Sequence, residues 1–148
     1  MEYTIRPAFE DDAKSINEVS RHLGYPQLSD TEVEDKLLQL IHSTTDEVYL
    51  AESKGAVVGW LHLFLARRLA SANFYEIGGL VVMPDFRGRG VGRALVNHVA
   101  KIHAGTIRVR CNEQRPESHQ FYKAIGFRDI KLQRIFEKTD QRTEKHGH

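Results

Sequence analysis

The chain has one cysteine, Cys111, among 148 residues, so no intrachain disulfide can staple it, and a reducing compartment is expected. It also lacks an excess of either charge. Lys and Arg number 21 against 20 Asp and Glu, a net charge of +1, which removes any general pull towards nucleic acid or membrane surfaces. No apolar run approaches the ~20 residues of a membrane span. The opening Met-Glu-Tyr-Thr-Ile-Arg-Pro has no apolar centre of the kind a secretory signal needs. There is no internal repeat and no linker-like stretch. These absences point to a cytoplasmic protein of one domain, 1–138, followed by a polar tail, 139–148.

The chain carries enough apolar residues for a core, 41%, and their spacing gives the elements. A short first strand stops at Pro7. Ala13, Ile16, Val19 and Ser20 recur at helical spacing up to Leu23, with Gly24 to close that helix. Ser29-Asp-Thr-Glu32 fits a capping box and opens a second helix whose buried face holds Val33, Leu37, Leu40 and Ile41. Strands are expected over 47–53 and 56–65, joined by the tight turn Lys54-Gly55, and again over 74–82. Gly59 marks either a bulge or a close backbone approach. A helix over 90–103 buries Val91, Leu95, Val99 and Ile102. A strand over 106–111 and a helix from Pro116 to Ile125, ended by Gly126, follow. Two short closing strands, 128–131 and 134–137, complete the order βααβββαβαββ.

The most informative stretch is Leu-Val-Val-Met-Pro-Asp-Phe-Arg-Gly-Arg-Gly-Val-Gly-Arg-Ala, residues 80–94. A strand runs into a loop with Gly88, Gly90 and Gly92, and a helix starts there. Amides at a helix N-terminus have no intrahelical acceptor, and the helix dipole adds partial positive charge. Glycines let a bulky anion approach those amides, and Arg87, Arg89 and Arg93 add full charge. The loop therefore reads as a phosphate or pyrophosphate site. A dinucleotide fingerprint fails because Arg93 stands where its third glycine belongs, and a P-loop fails because the chain has no Gly-Lys-Ser/Thr. Arg87, Gly90 and Gly92 do fill the pattern Arg-x-x-Gly-x-Gly. Here the chain resembles the GNAT superfamily of acyl-CoA-dependent N-acyltransferases. Asn112, followed by Phe121-Tyr122 and Gly126-Phe127, is similar to the segment that commonly ends the core of its members.

The resemblance implies an α/β fold with a mixed, mostly antiparallel sheet, splayed between strands 4 and 5 and flanked by helices on both faces. It implies acetyl-CoA as co-substrate, with no metal. Leu80, Val81 and Val82 would supply backbone hydrogen bonds to the pantetheine arm and the thioester carbonyl. Arg87, Gly88, Arg89, Gly90, Val91, Gly92 and Arg93 would hold the pyrophosphate, and Asn112 would touch the cofactor arm. Because the acyl group arrives as a thioester, an amine can attack it directly in a ternary complex. Tyr122 matches the position of a general acid for the departing thiolate, and it may be read otherwise only as packing for the last helix. Glu76 is the candidate base. Members often carry a glutamate nearer the loop, at the place of Gly78, and a bulge at Gly78-Gly79 would alter which way Glu76 faces. The other reading of Glu76 is a solvated strand carboxylate.

His119, three residues before Tyr122, shares a helical face with it. His22, Tyr25, Trp60 and His62 are candidates for the acceptor pocket. Cys111 reads as a buried small hydrophobe, and His146 and His148 lack companions at ligand spacing, so no metal site is expected. The expected reaction is acetyl transfer to a primary amine, with aminoglycosides or polyamine-like molecules as one acceptor class. A protein N-terminus or lysine is the alternative acceptor, and an acyl-CoA sensor without turnover is the alternative function. Neither nucleic acid nor membrane is an expected partner, and a homodimer is compatible with the resemblance.

Overall fold

The computed structural model describes residues 2–22 and 28–140, so Gly24 as a helix stop and Tyr25 as a pocket residue lie outside the described residues, as do His146 and His148. The described residues fall into two compact units, 1–112 and 113–148.

The first unit is built on a five-stranded sheet with the strands in chain order. These are β1 (Thr4–Pro7), β2 (Asp46–Ser53), β3 (Ala56–Ala66), β4 (Phe74–Val82) and β5 (Ile107–Val109). The first four pair antiparallel and β5 joins β4 in parallel, which gives the expected mixed sheet. Lys54 and Gly55 both adopt positive φ, 52° and 78°, as the tight turn between β2 and β3 demands.

Two helices cover one face. α1 (Ala13–Arg21) follows a short 3-10 turn, and α2 (Asp30–His42) begins with Ser29 and Glu32 exchanging the two hydrogen bonds of a capping box. Their Ala13, Ile16 and Leu37 form a core with Leu50, against which Val33, Ile41, Val48 and Trp60 pack. Leu50 pairs with Trp60, and the next pair along, Ala51 and Gly59, faces the other way. On that second face lies α3 (Val91–Ile102): a Cβ placed on Gly59 would come within 3.5 Å of Val91 and Leu95 side chains. Helices thus flank both faces.

That same Cβ would sit 2.9 Å from the Val81 carbonyl oxygen, so Gly59 marks a close backbone approach. The bulge between these strands falls beside it, at Val58, which stands between the pairs Ala51–Gly59 and Glu52–Val57. Ile102 does not join the buried face of α3: it is half exposed, at the end of the helix where the stripe of Val91, Leu95 and Val99 runs out. Cys111 is exposed rather than buried, because β5 ends two residues earlier at Val109.

In the second unit, α4 (Pro116–Ala124) starts at its proline and ends in a Schellman arrangement. The Phe127 amide donates to the Tyr122 carbonyl, the Gly126 amide donates to the Lys123 carbonyl, and Gly126 takes φ 104°. The two closing strands expected over 128–131 and 134–137 are not formed. Among the described residues this stretch enters no ladder, and Ile130, Leu132, Ile135 and Phe136 stay exposed. Alternation of apolar and charged residues makes a strand only where a partner edge takes up the backbone groups.

Candidate functional site

The site grows from β4. Up to Ile77 this strand has a neighbour on each edge: β3 on one side, and β5 on the other through Tyr75–Ile107, Glu76–Arg108 and Ile77–Val109. There the pairing with β5 stops. From Gly78 to Val82, β4 keeps only β3 among the described strands. Alternate residues of such a stretch turn their N–H and C=O groups to the open edge, where an extended amide-bearing chain can add. Leu80, Val81 and Val82 lie on this stretch, opposite Leu61, Trp60 and Gly59.

The strand then enters the glycine loop. The Met83 amide donates to Val58 O, and Pro84–Phe86 makes a single 3-10 turn. Gly88 (φ 74°) and Gly90 (φ 85°) adopt a backbone that L side chains rarely take, and Gly90 caps α3 in that conformation. Val91 and Gly92 are buried while Arg87, Arg89 and Arg93 are exposed, so the apolar residues pin the helix start and the cations stand in solvent around it. The Tyr3 hydroxyl donates to Gly90 O at 3.2 Å and ties the loop to the start of β1.

The amides are the decisive feature. The Arg87 amide is used by Pro84 O, and the Ala94 amide donates to Gly90 O as the first turn of α3. Among the described residues no acceptor takes the amide hydrogens of Gly88, Gly90, Val91, Gly92 or Arg93. These donors stand at the positive end of a 12-residue helix, beside three guanidinium groups, and no Cβ projects at Gly88 or Gly90. The arrangement fits a diphosphate.

At the first residue of this stretch, the ladder between β3 and β4 is broken. His62 pairs with Gly79 and Leu63 with Ile77, leaving Gly78 as an extra, exposed residue on β4. The bulge at Gly78-Gly79 is therefore present. A Cβ at Gly78 would lie 2.8 Å from His62 Nδ1 and 3.3 Å from Phe64 Cδ1, so the imidazole fills the space a side chain there would need. The other ring nitrogen, Nε2, is 2.7 Å from Asp46 Oδ1 at the start of β2. Asp46 Oδ2 accepts from Ser43 Oγ at 2.7 Å and from Thr45 Oγ1 at 3.3 Å. Burial alone would push the Asp46 carboxyl up, but the hydrogen bonds from His62, Ser43 and Thr45 outweigh it and hold it below the usual range.

Glu76, two residues before the bulge, is buried, with both carboxylate oxygens within 3.2 Å of Arg110 Nε. It is an ion-paired carboxylate rather than a solvated one. Trp60 Nε1 donates to Ser20 Oγ on α1, whereas His22 is exposed at the end of that helix. Asn112 is exposed just beyond β5. In the second unit the Tyr122 ring meets Phe121 and Phe127 edge-on, with centroids 5.0 and 5.3 Å apart, and both Tyr122 and His119 are half-buried. Sequence reasoning missed Asp46, Arg110 and Tyr3 as parts of these arrangements, and no local motif marks them. Among the described residues no group of His, Cys, Asp or Glu is placed to hold a metal, and no helix is long and apolar enough to cross a membrane.

A mixed sheet opened between two parallel strands, with unspent amides at the end of the opening, can take up an extended ligand that carries an anion. The chain belongs to the acetyltransferase (GNAT) family, whose sequence profile matches residues 11–127. Solved structures share the fold. The apo aminoglycoside 6'-N-acetyltransferase AAC(6')-Ig from Acinetobacter haemolyticus aligns with a TM-score of 0.79 at 19% identity, over 93% of this chain and 99% of that one. The enzyme AAC(6')-Iy, solved with a bisubstrate analogue of coenzyme A and an acetylated neamine, aligns at 0.81 and 16% identity, over 95% and 100%. A local likeness of 43% over 53 residues links the chain to the peptidyl-lysine N-acetyltransferase YjaB of Escherichia coli strain K12, and it spans 36% of this chain and 35% of that protein.

Proposed function

We propose that this protein is an acetyl-CoA-dependent N-acetyltransferase that acts on a primary amine of a small molecule by direct attack in a ternary complex. One observation carries the reading: five amides without an acceptor among the described residues cluster at the start of α3, where β4 has lost its neighbour. Arg87 to Arg93 would bind the pyrophosphate, the edge from Leu80 to Val82 would bind the pantetheine amides, and Asn112 would add a side-chain contact. The bound thioester supplies the acetyl group. Tyr122 would give the departing sulfur a proton or a hydrogen bond. The ammonium must lose a proton before attack, and Glu76 is the base the sequence offers.

In this reading residues 1–138 work as one domain in the cytoplasm, and a homodimer belongs to it on the family resemblance alone. Aminoglycoside-like polyamines are the first acceptors to test, given the fold shared with AAC(6') enzymes. The likeness to YjaB favours a second acceptor class, the lysine side chain of a peptide. A thiol-release assay with acetyl-CoA against kanamycin, spermidine and a lysine peptide, set beside calorimetry with coenzyme A, tests both. Turnover on one amine supports the enzyme. Tight binding of coenzyme A with no turnover on any amine would make the protein a sensor.

A further inference from the structure

The bulge on β4 places an imidazole where the strand itself offers no side chain. We propose that His62 is the general base that deprotonates the incoming ammonium, with Asp46 as its positioning residue; this rests on the acetyltransferase reading above. The geometry fixes the tautomer. Asp46 is an acceptor whose carboxylate is also held by Ser43 and Thr45, so the ring nitrogen 2.7 Å from it, Nε2, carries the hydrogen. In the neutral ring Nδ1 then carries the lone pair, and among the described residues nothing donates to it. It lies beside Gly78, an exposed residue without a side chain, immediately after the last β4–β5 pair. A proton on an amine poised at the opening of the sheet can reach Nδ1 directly or through one water.

The competing base is less suited. Glu76 lies on the same face one pair along, opposite Phe64, but it is buried with Arg110 against both oxygens. The charged pair nearest in register on this face is Glu76 with Arg110. Helices α1 and α2 turn Ser20, Leu37 and Ile41 towards this face, and their Lys14, Glu18, Arg21, Asp30, Glu32, Glu34, Asp35 and Lys36 are exposed. Asp46 is the charged group in hydrogen-bond contact with His62, and a carboxylate there stabilises the imidazolium formed as the proton arrives.

The step balances. One ammonium proton moves to Nδ1 and on to solvent. The amine nitrogen bonds the acetyl carbon as the carbon–sulfur bond breaks. The second proton that nitrogen sheds matches the one the sulfur gains, and the third stays on the amide.

The test uses the full chain and the acceptor that turns over best among kanamycin, spermidine and the lysine peptide. Histidine must be neutral to accept a proton, so kcat/KM falls on acidification, and this acid limb belongs to His62. His62→Gln, which still donates to Asp46, should lower kcat/KM by about 10²–10³-fold near neutral pH and erase the limb, with the Kd of coenzyme A unchanged. Asp46→Asn, which no longer fixes the hydrogen on Nε2, should lower kcat/KM and let nitrogen NMR show both ring tautomers. Glu76→Gln should keep the limb in place. Nitrogen NMR of the wild-type ring, which needs no turnover, should show the hydrogen on Nε2. An acid limb that survives in His62→Gln, one that vanishes in Glu76→Gln, or a hydrogen on Nδ1 overturns the proposal while the enzyme assignment stands. Wild-type protein that binds coenzyme A and acetylates nothing removes the enzyme assignment and this proposal with it.

Discussion

The two halves of β4, Phe-Tyr-Glu-Ile and Gly-Gly-Leu-Val-Val, do different work. From Tyr75 to Ile77 the strand has a neighbour on each edge, Phe74 and Ile77 enter the core, and Glu76 is ion-paired with Arg110. From Gly78 to Val82 one edge is open, the first residue is a bulge, and the strand ends in a loop whose amides have no acceptor among the described residues. The first half is closed and structural; along the second, the edge away from β3 meets no strand among the described residues. A scaffold strand becomes a binding strand where its partner ends early and paired glycines take the place of side chains.

The largest expected effect falls on the loop. Gly90→Val puts a β-branched residue at φ 85° and crowds the helix cap, so the neighbouring amides no longer converge. Losing one or two charge-assisted hydrogen bonds, about 3 kcal/mol in all, should weaken coenzyme A binding by ~100-fold or more in calorimetry. Affinity within threefold of wild type would erase the contrast between the two halves.

Next comes the second unit. Tyr122→Phe keeps the ring contacts with Phe121 and Phe127 and removes only the hydroxyl, so turnover should fall by roughly 10–100-fold while coenzyme A affinity holds. Unchanged turnover near neutral pH would take Tyr122 out of the chemistry.

Gly78→Ala sharpens the comparison at its boundary. The new methyl must displace an imidazole 2.8 Å away, so kcat/KM should drop by about 5–20-fold with Tm almost unmoved, since the residue is exposed. The equivalent change in the closed half, Ile77→Ala, should do the reverse and cost about 2–4 kcal/mol of stability in denaturant unfolding, because Ile77 is buried.

The smallest effect is on acid stability. Hydrogen bonds from Arg6, against burial, hold the Asp12 carboxyl below its usual range, and Asp46 is likewise held down. Groups depressed by folding contribute stability above their unfolded pKa of about 3.9, and that contribution is lost as pH falls through the folded values. Denaturant midpoints should therefore be flat from pH 7 to about 5 and decline below ~4, and Asp12→Asn should flatten that decline.

Much of this was legible in the sequence, for identifiable reasons. The glycine loop announces itself because a positive φ and a crowd of arginines leave a mark within seven residues, 87–93. β4 reads as 74–82 because its apolar residues end at a proline, and the paired glycines inside the strand allow the bulge that the structure has at Gly78. The capping box at Ser29 is equally local. The pairing of His62 with Asp46 is not, since it joins residues 16 apart in chain and depends on register between strands. Arg110 and Glu76 are 34 apart and meet only because β5 stops where it does. The apolar residues of 130–136 show the opposite failure: local alternation looked like a strand, and no edge received it.

The account rests on the unspent amides at the start of α3, and amide NMR during a titration with coenzyme A reads them directly. The resonances of Gly88, Gly90, Val91, Gly92 and Arg93 should move downfield together and saturate with the binding curve, as donors engaging a diphosphate do. Saturable binding that leaves those five unmoved, or no binding at millimolar coenzyme A, would contradict it.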